Sequence, residues 1–285
     1  EIGFDTLFMY TWRDRELVLD LLAKIGGNRV NYGINTFGGV RRDLEPELMQ
    51  EILKICTVLE EKISYYAELA MTETTLIARL KGIGVLTPAD VERFSAVGPV
   101  ARAAGVLDDI RVIEPYGVYK EIAVNAITDD HCDVYGRTLV RVKEMLESIR
   151  LIRLMIQEIP EGPIAVRAPR KLPVGETLRR VEAPRGENIH YIRSNGSDMP
   201  DRVRVRAPSE ANWHGMSYML EGFQLADVPI IIAAIDPCYS CTDRAIRLNS
   251  GREEQIASWE QIRQFGIEQY KRNGIDPGSI AIRPF

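Results

Sequence analysis

Two cysteines with metal-ligand spacing stand near the end of the chain. Cys238 and Cys241 are separated by two residues and follow the most apolar segment of the sequence, residues 228–235. Such a pair brings two sulfurs close enough to bind one metal ion or to form a redox disulfide; two buried thiols without a ligand are the alternative. A zinc site would need two more ligands, and Cys56 and Cys132 are isolated. If the pair binds a metal, we expect the remaining ligands to come from outside this chain.

Other chain turns carry polar groups that would suit a soft-metal site. Arg185 lies in the turn signal 184–186, Ser209 follows a proline, and Asp236 stands just before the cysteine pair. A fixed guanidinium, a hydroxyl, a carboxylate and two thiolates would together suit a soft metal that handles protons and anionic ligands. Alone, Arg185 would be read as a surface-turn arginine; beside the cysteines we favour a functional role.

Composition excludes several classes of protein. The 285 residues are 45% hydrophobic and 27% charged, as in a soluble globular protein with one large core or two modest ones. A net charge of -5 argues against a nucleic-acid partner. Four cysteines are too few for a secreted disulfide framework, which favours a reducing compartment. No signal peptide and no apolar run of about 18–20 residues is visible, so we expect any membrane association to depend on partners.

Helical periodicity dominates the sequence. It is strongest over residues 133–159, where apolar residues recur at intervals of three and four while charged residues such as Arg137 and Arg141 face elsewhere. Cys56 lies among apolar residues of another long stretch and is predicted to be a core thiol. The predicted helices are 13–25, 45–71, a short one from 87, another ending at 104, 133–159, 210–222, 225–235 and, in a charged segment, 253–272.

Strand character is confined to the region between residues 179 and 206. Segments 179–182, 188–193 and 202–206 are separated by turn signals and predict a small antiparallel sheet. The fold class is therefore predicted to be mainly α, a long helix bundle with a small inserted antiparallel β-sheet. The glycines of residues 37–43 lack a phosphate-binding pattern and predict a tight turn. Residues without a second ligand at metal spacing, which we interpret as structural, are His131, Cys132, His190 and His214.

The chain resembles a known family at these motifs. Residues 4–244 are similar to the large subunit of nickel–iron (NiFe) hydrogenases, specifically the membrane-bound, energy-converting group that includes formate hydrogenlyase. The related 49-kDa subunit of respiratory NADH:quinone oxidoreductase shares most of this similarity but lacks the cysteine pair, which therefore favours the hydrogenase. The stretches that carry the resemblance are 38–43 (Gly-Gly-Val-Arg-Arg-Asp), 133–149, 182–187 (Glu-Ala-Pro-Arg-Gly-Glu), 206–209 (Arg-Ala-Pro-Ser) and 236–244 (Asp-Pro-Cys-Tyr-Ser-Cys-Thr-Asp-Arg).

The resemblance implies a large-subunit-like fold and a NiFe(CN)2(CO) centre. Cys238 would be a terminal nickel ligand and Cys241 would bridge nickel and iron. Arg185 would lie over the open coordination site to polarise H2 or orient a base, and Asp236 would hold its guanidinium in place. The residues implied to line the pocket for the cyanide and carbonyl ligands are Pro184, Ala207, Pro208 and Ser209, with Ser209 donating a hydrogen bond to a cyanide.

Two features depart from the family pattern. The other two nickel-binding cysteines of the family form a second C-x-x-C pair in an N-terminal segment, which Cys56 and Cys132 do not match. Because the sequence begins with Glu1, we expect the numbering to start inside a longer polypeptide, with that pair on an N-terminal segment or another chain. Residues 1–244 would form the large-subunit core and 245–285 a C-terminal extension, either of a precursor or of a protein that matures without cleavage.

The functional expectation is the catalytic subunit of a multisubunit membrane-bound hydrogenase, with reversible H2 evolution coupled to electron transfer and ion translocation. Its implied partners are an iron–sulfur small subunit, which carries the clusters, and ferredoxin-like and membrane antiporter-like subunits. These would hold it at the cytoplasmic face of the membrane. Two alternatives stay open: a quinone- or sulfur-reducing subunit of the same superfamily with a degenerate metal site, and a scaffold that transmits conformational change.

Overall fold

The computed structural model describes residues 4–30, 33–169, 171–242, 246–249 and 254–257, and the single positions 260, 264, 267, 268, 271 and 272. The chain divides after Cys241 into two compact units. The elements of the first unit are α1 (Asp5–Gly26), β1 (Asn35–Thr36), β2 (Gly39–Val40), α2 (Pro46–Thr72), α3 (Thr74–Leu80), α4 (Pro88–Phe94), α5 (Pro99–Arg102), α6 (Ile110–Ile113), α7 (Val134–Gln157), β3 (Gly175–Ala183), β4 (Gly186–Ser194), β5 (Pro200–Arg206), α8 (Pro208–Met219), α9 (Val228–Ala234) and α10 (Tyr239–Thr242), which reaches the boundary.

Long helices form the body of the first unit. α2 begins with Pro46 in its first turn, where proline costs no hydrogen bond. Asp133 caps the N-terminus of α7, where its side chain accepts from the N–H of Gly136. α2 packs against α7 around a core that includes Cys56, which is 3% exposed. The prediction that Cys56 is a core thiol is therefore confirmed.

A larger apolar core gathers the shorter helices. It joins α3, α4, α5, α8 and α9 to the first turns of α7. Burying an aliphatic side chain of this size contributes about 1.5–3 kcal/mol, so this core fixes where α9 ends and where the cysteine loop begins. Its fully buried members are Leu86, Ala101, Ile231 and Ile235.

The small sheet has the order β3-β4-β5, and both of its pairings are antiparallel. Ala183 pairs with Gly186, so only Pro184 and Arg185 form the connection between β3 and β4. β5 leads through Ala207 directly into α8. The predicted fold class, mainly α with a small antiparallel sheet, is confirmed, although β3 begins earlier than the sequence indicated.

The charged C-terminal segment differs from its prediction. Instead of one helix over 253–272, residues Glu254–Ala257 form a strand, β7, which pairs antiparallel with β6 (Ile246–Asn249); helix occurs at the described positions from 260 onwards. The charged residues of this segment have good helical propensity, but tertiary context overrides propensity, and Ser250-Gly251 is a turn signal between two short segments that pair as strands. Among the described residues, none of the helices has the length and apolar character needed to cross a membrane.

Candidate functional site

Three segments that are distant in sequence meet at the end of α9. They are the β3–β4 connection with Arg185, the start of α8 with Ser209, and the loop from Asp236 to Cys241. Arg185 hydrogen-bonds to Asp236, and Ser209 hydrogen-bonds to Cys238. The structure therefore brings together four of the residues that the sequence predicted for one site.

Arg185 is held at the tip of its hairpin by a close backbone contact. A Cβ on Gly98 would lie 2.3 Å from the Cα of Gly186 and 2.5 Å from the carbonyl oxygen of Arg185, and both glycines have positive φ angles, 66° and 124°. Only glycine permits this approach without strain. The contact fixes the main chain from which the Arg185 side chain extends towards the cysteine loop.

The Arg185 guanidinium is tied to Asp236 through two donors. Its Nε donates to the main-chain carbonyl of Asp236, and its Nη2 donates to Oδ1 at 3.1 Å. Two bonds from one planar guanidinium fix its orientation as well as its position. The arrangement is the one expected for a carboxylate that holds the arginine.

Asp236 has a second basic neighbour that the sequence did not single out. Arg141 on α7 places Nη1 3.6 Å from Asp236 Oδ2 and donates from Nη2 to the carbonyl of Ala234 at 3.2 Å. The carboxylate of Asp236 thus lies between Arg185 and Arg141. On α7 alone, Arg141 looked like a residue of the charged face, and no local signal showed that this face is packed against α9.

The backbone of Asp236 is strained. Its φ is 54°, in the left-handed region that costs a residue with a Cβ about 1–2 kcal/mol, and it precedes Pro237, which favours extended backbone instead. The arginine contacts hold the residue in this conformation. In this conformation the main chain changes direction at the end of α9, immediately before the cysteines.

Ser209 links the start of α8 to the first cysteine. Its side chain is fully buried, and its Oγ accepts a 3.1 Å hydrogen bond from the N–H of Cys238. Ala207 and Pro208 precede it, and Pro208 in the first turn of α8 is buried. Pro184 lines a cavity of about 520 Å³ that also contains Asp236 and Arg141.

Cys241 lies on the helical turn α10 (Tyr239–Thr242), and Cys238 directly precedes that turn. The N–H of Cys241 donates to the carbonyl of Cys238 at 3.0 Å, and Cys238 Sγ lies 3.1 Å from Ser240 Oγ. The hydrogen bond from Ser240, together with Cys241 and the charge of Arg185, outweighs burial and lowers the pKa of Cys238 to about 7. Burial, followed by the neighbouring Cys238, raises the pKa of Cys241. Cys238 is thus the thiol that more easily becomes the thiolate that a metal binds.

The donor set fits part of a soft-metal centre. All four cysteines are thiols, and the Cys238–Cys241 pair supplies two soft sulfur ligands. Within the described residues, the only group of three or more histidine, cysteine and acidic side chains close enough to hold an ion is Asp129, Asp130 and His131. His131 Nδ1 lies 2.7 Å from Asp129 Oδ1. The described part of the chain therefore supplies two thiols at metal-ligand spacing, Cys238 and Cys241.

A network of buried charged residues contacts the β3–β4 hairpin. Arg102 on α5 is 1% exposed and donates to Glu144 on α7 at 2.7 Å and to Glu182 at 2.8 Å. Glu182 also accepts from the N–H of Ile110. Because Glu182 is three residues before Arg185, this network anchors the end of β3 and helps to position the arginine.

Comparison with known proteins places the chain in a family. Residues 1–172 and 166–244 match the family described as respiratory-chain NADH dehydrogenase, 49 Kd subunit. The chain is 35% identical over 287 residues to the membrane-bound hydrogenase subunit alpha of Pyrococcus furiosus, which covers 95% of this chain and 67% of the relative. It is 37% identical over 244 residues to an NADH-quinone oxidoreductase subunit of Dehalococcoides mccartyi, covering 85% and 66%.

A third relative is formate hydrogenlyase subunit 5 of Escherichia coli, 32% identical over 268 residues, or 94% of this chain and 47% of the relative. The chain thus spans about two thirds of the first two relatives and about half of the third. Hydrogenase subunits and an NADH-quinone oxidoreductase subunit are both among these proteins, which confirms the resemblance drawn from the sequence. The chain belongs to the oxidoreductase family of the 49-kDa subunit of respiratory-chain NADH dehydrogenase.

Proposed function

We propose that this chain is the catalytic large subunit of a membrane-bound, energy-converting NiFe hydrogenase. The reaction would be reversible H2 evolution from protons, coupled to electron transfer and ion translocation. One observation carries the proposal: two thiols at metal-ligand spacing, Cys238 just before α10 and Cys241 on it, follow directly after Asp236, which forms an ion pair with Arg185. The similarity to hydrogenase subunits supports it.

Cys238 and Cys241 are proposed to hold a NiFe(CN)2(CO) centre, Cys238 as a terminal nickel ligand and Cys241 as the bridge to iron. When bound, this centre supplies the binding site for H2 and exchanges electrons. Thiolates suit nickel because they are soft donors. The second pair of cysteines would come from an N-terminal segment or a chain outside these 285 residues.

The remaining residues of the site act through position and charge. Arg185, fixed by its two bonds to Asp236, keeps a positive charge beside the sulfurs, where it can polarise H2 or orient a base. Cys238 Sγ is the proposed proton acceptor, and Ser209 fixes the main chain that carries it. Pro184, Ala207, Pro208 and Ser209 are proposed to line the pocket of the diatomic ligands, with Ser209 donating to a cyanide.

The proposed assembly is the one that the family resemblance implies. It comprises an iron–sulfur small subunit, which carries the clusters that relay electrons, and ferredoxin-like and membrane antiporter-like subunits. The chain would be peripheral, at the cytoplasmic face of the membrane, with residues 1–244 as the large-subunit core and 245–285 as an extension. The names of the relatives, which include membrane-bound hydrogenase subunit alpha, support membrane association through partners.

A second function is favoured by a specific observation. The NADH-quinone oxidoreductase subunit of Dehalococcoides mccartyi is as similar to this chain as the hydrogenase subunits are. The alternative is therefore an electron-transfer or ion-pumping subunit that serves quinone or sulfur reduction and has a degenerate metal site.

Metal analysis of the purified complex separates the two functions. The hydrogenase predicts about one nickel for each copy of this chain, infrared bands of bound carbon monoxide and cyanide, and H2 evolution with a low-potential dye. Cys238→Ser should abolish all three, whereas Cys132→Ser, on a cysteine outside the site, should leave them unchanged. A complex without nickel or those bands that still reduces a quinone would exclude the hydrogenase.

A further inference from the structure

A cavity next to the site has more positively than negatively charged residues among its described lining residues. It has a volume of about 310 Å³ and lies between α7 and α9. Its charged lining residues are Arg137, Arg141 and Asp236, and the other lining residues are mostly apolar. Arg137 and Arg141 are four residues apart on α7 and therefore point to the same side of the helix.

Arg137 is the more deeply buried of the two arginines. It is 1% exposed, and its Nη2 donates to the carbonyl of Gly84. Its Nε and Nη1 are buried and have no hydrogen-bond partner among the described residues. Burial, and then the charge of Arg141, lower the pKa of Arg137 to about 10, which still leaves it charged at neutral pH. A buried guanidinium with two unused donors is costly unless an acceptor reaches them.

The neighbouring acidic side chains, Asp133 and Asp236, do not accept hydrogen bonds from Arg137 Nε or Nη1. Asp133 uses its two oxygens on the N–H groups of Gly136 and Gly82, at 2.8 and 2.7 Å, and so caps α7. Asp236 is already shared between Arg141 and Arg185.

Arg141 also has a buried nitrogen atom with unused donor capacity. Its Nη1 and Nη2 are engaged by Asp236 and Ala234, but its Nε is buried and no residue in the described ranges accepts from it. The cavity is therefore lined by two arginines and by one acid that a third arginine shares. Together the two lining arginines have three buried nitrogen atoms that no described residue engages. Water would supply acceptors but would not neutralise the charge.

We propose that this cavity is a binding site for a carboxylate group, which accepts hydrogen bonds from Arg137 and Arg141. A carboxylate has enough lone pairs to accept from several guanidinium nitrogens at once, and its aliphatic stem suits the apolar walls. Its source is either a small carboxylate from solution or an aspartate or glutamate side chain of a partner chain in the complex. Because Arg141 also contacts Asp236, the bound group shares a partner with the proposed hydrogen site.

The solution source is tested by thermal denaturation of the purified chain. Acetate should raise the melting temperature in a saturable way, compared with chloride at equal ionic strength. The increase should disappear in Arg137→Gln and persist in Arg153→Gln, an arginine of the same helix that instead pairs with Glu60. An equal increase in both variants would show that acetate acts elsewhere and would overturn the solution source.

The side-chain source is tested in the intact complex, and this measurement needs no variant. A high-resolution cryo-electron microscopy map should show an aspartate or glutamate carboxylate within hydrogen-bond distance of Arg137 Nε or Nη1, with no response of the complex to acetate. If the cavity of the complex holds only water or main-chain carbonyls, and acetate does not stabilise the purified chain, the proposal is wrong.

Discussion

The hydroxyl of Ser209 accepts a 3.1 Å hydrogen bond from the backbone N–H of Cys238, which joins the first turn of α8 to the cysteine loop. Ser209 is fully buried, so its hydroxyl is shielded from competing water. Ser209 directly follows Ala207 and Pro208, which lead from β5 into α8. Its side chain therefore links the junction of the sheet and α8 to the cysteine loop.

Removing this acceptor should weaken both the fold and the metal site. Ser209→Ala removes the hydroxyl that accepts from the N–H of Cys238, which costs about 1–3 kcal/mol of unfolding free energy, and the nickel content of the complex should fall. Urea denaturation and metal analysis measure the two effects. Ser217→Ala is the matched control, because Ser217 is an exposed residue of α8 whose hydroxyl bonds only to the carbonyl of Trp213 in the same helix. Equal results for both variants would contradict this role of Ser209.

The geometry of Arg185, rather than its charge alone, should be needed for activity. Arg185→Lys keeps the positive charge but cannot reproduce the two bonds to Asp236, so H2 evolution should fall by about 100-fold or more. Nickel content should stay near one per subunit, since Arg185 is not a ligand. Arg179→Lys, at an exposed position of β3, serves as the control. Substantial activity in Arg185→Lys would show that a charge anywhere in the pocket suffices.

The contact between two glycines under the hairpin predicts a steric effect that can be isolated. Gly98 and Gly105 have similar positive φ angles, 66° and 74°, but a Cβ on Gly98 would meet the backbone of Gly186 while one on Gly105 would meet nothing. Both alanine variants carry the same conformational penalty. Gly98→Ala should therefore be less stable than Gly105→Ala by about 1–3 kcal/mol in urea denaturation, and only Gly98→Ala should reduce activity. Equal stabilities would mean that the hairpin tip does not depend on this contact.

The elements that the sequence predicted well are those whose signals are local. The periodicity of residues 133–159 corresponds to α7 (Val134–Gln157), and alternation with turn signals predicted the β3-β4-β5 sheet. β6 and β7 were not predicted, because the helical propensity of the charged residues was followed and the turn signal Ser250-Gly251 was not used.

The site could be predicted only in part from the sequence. Motif residues such as Arg185 and Cys238 were identified because the family resemblance marks them, and the structure places them close to one another. Arg137 and Arg141 were not, because periodicity describes one helix at a time. It predicts which face is apolar but does not show that α9 covers part of the charged face. Burial of such arginines is a property of the tertiary structure.

The stability contributed by the contact between α1 and α2 should depend on pH. Asp14 on α1 is buried, which disfavours its charge, but hydrogen bonds from Arg13, Tyr66 and Lys62 outweigh burial and lower its pKa from 3.8 to about 2. Lys62 and Tyr66 belong to α2, so the carboxylate joins the two helices. A group whose pKa is lower in the folded state stabilises the fold above its unfolded pKa, and this contribution is lost as the pH falls through the folded value.

Asp14→Asn should therefore be less stable than the native chain at pH 7 by about 2 kcal/mol, from a shift of nearly two pH units. The difference should shrink as the pH falls below about 4 and disappear near pH 2, where the native carboxylate also becomes protonated. Urea denaturation at a series of pH values measures it, with Asp5→Asn, at an exposed position of the same helix, as the control. A stability difference that does not change between pH 7 and pH 2 would mean that Asp14 acts through packing and not through its charge.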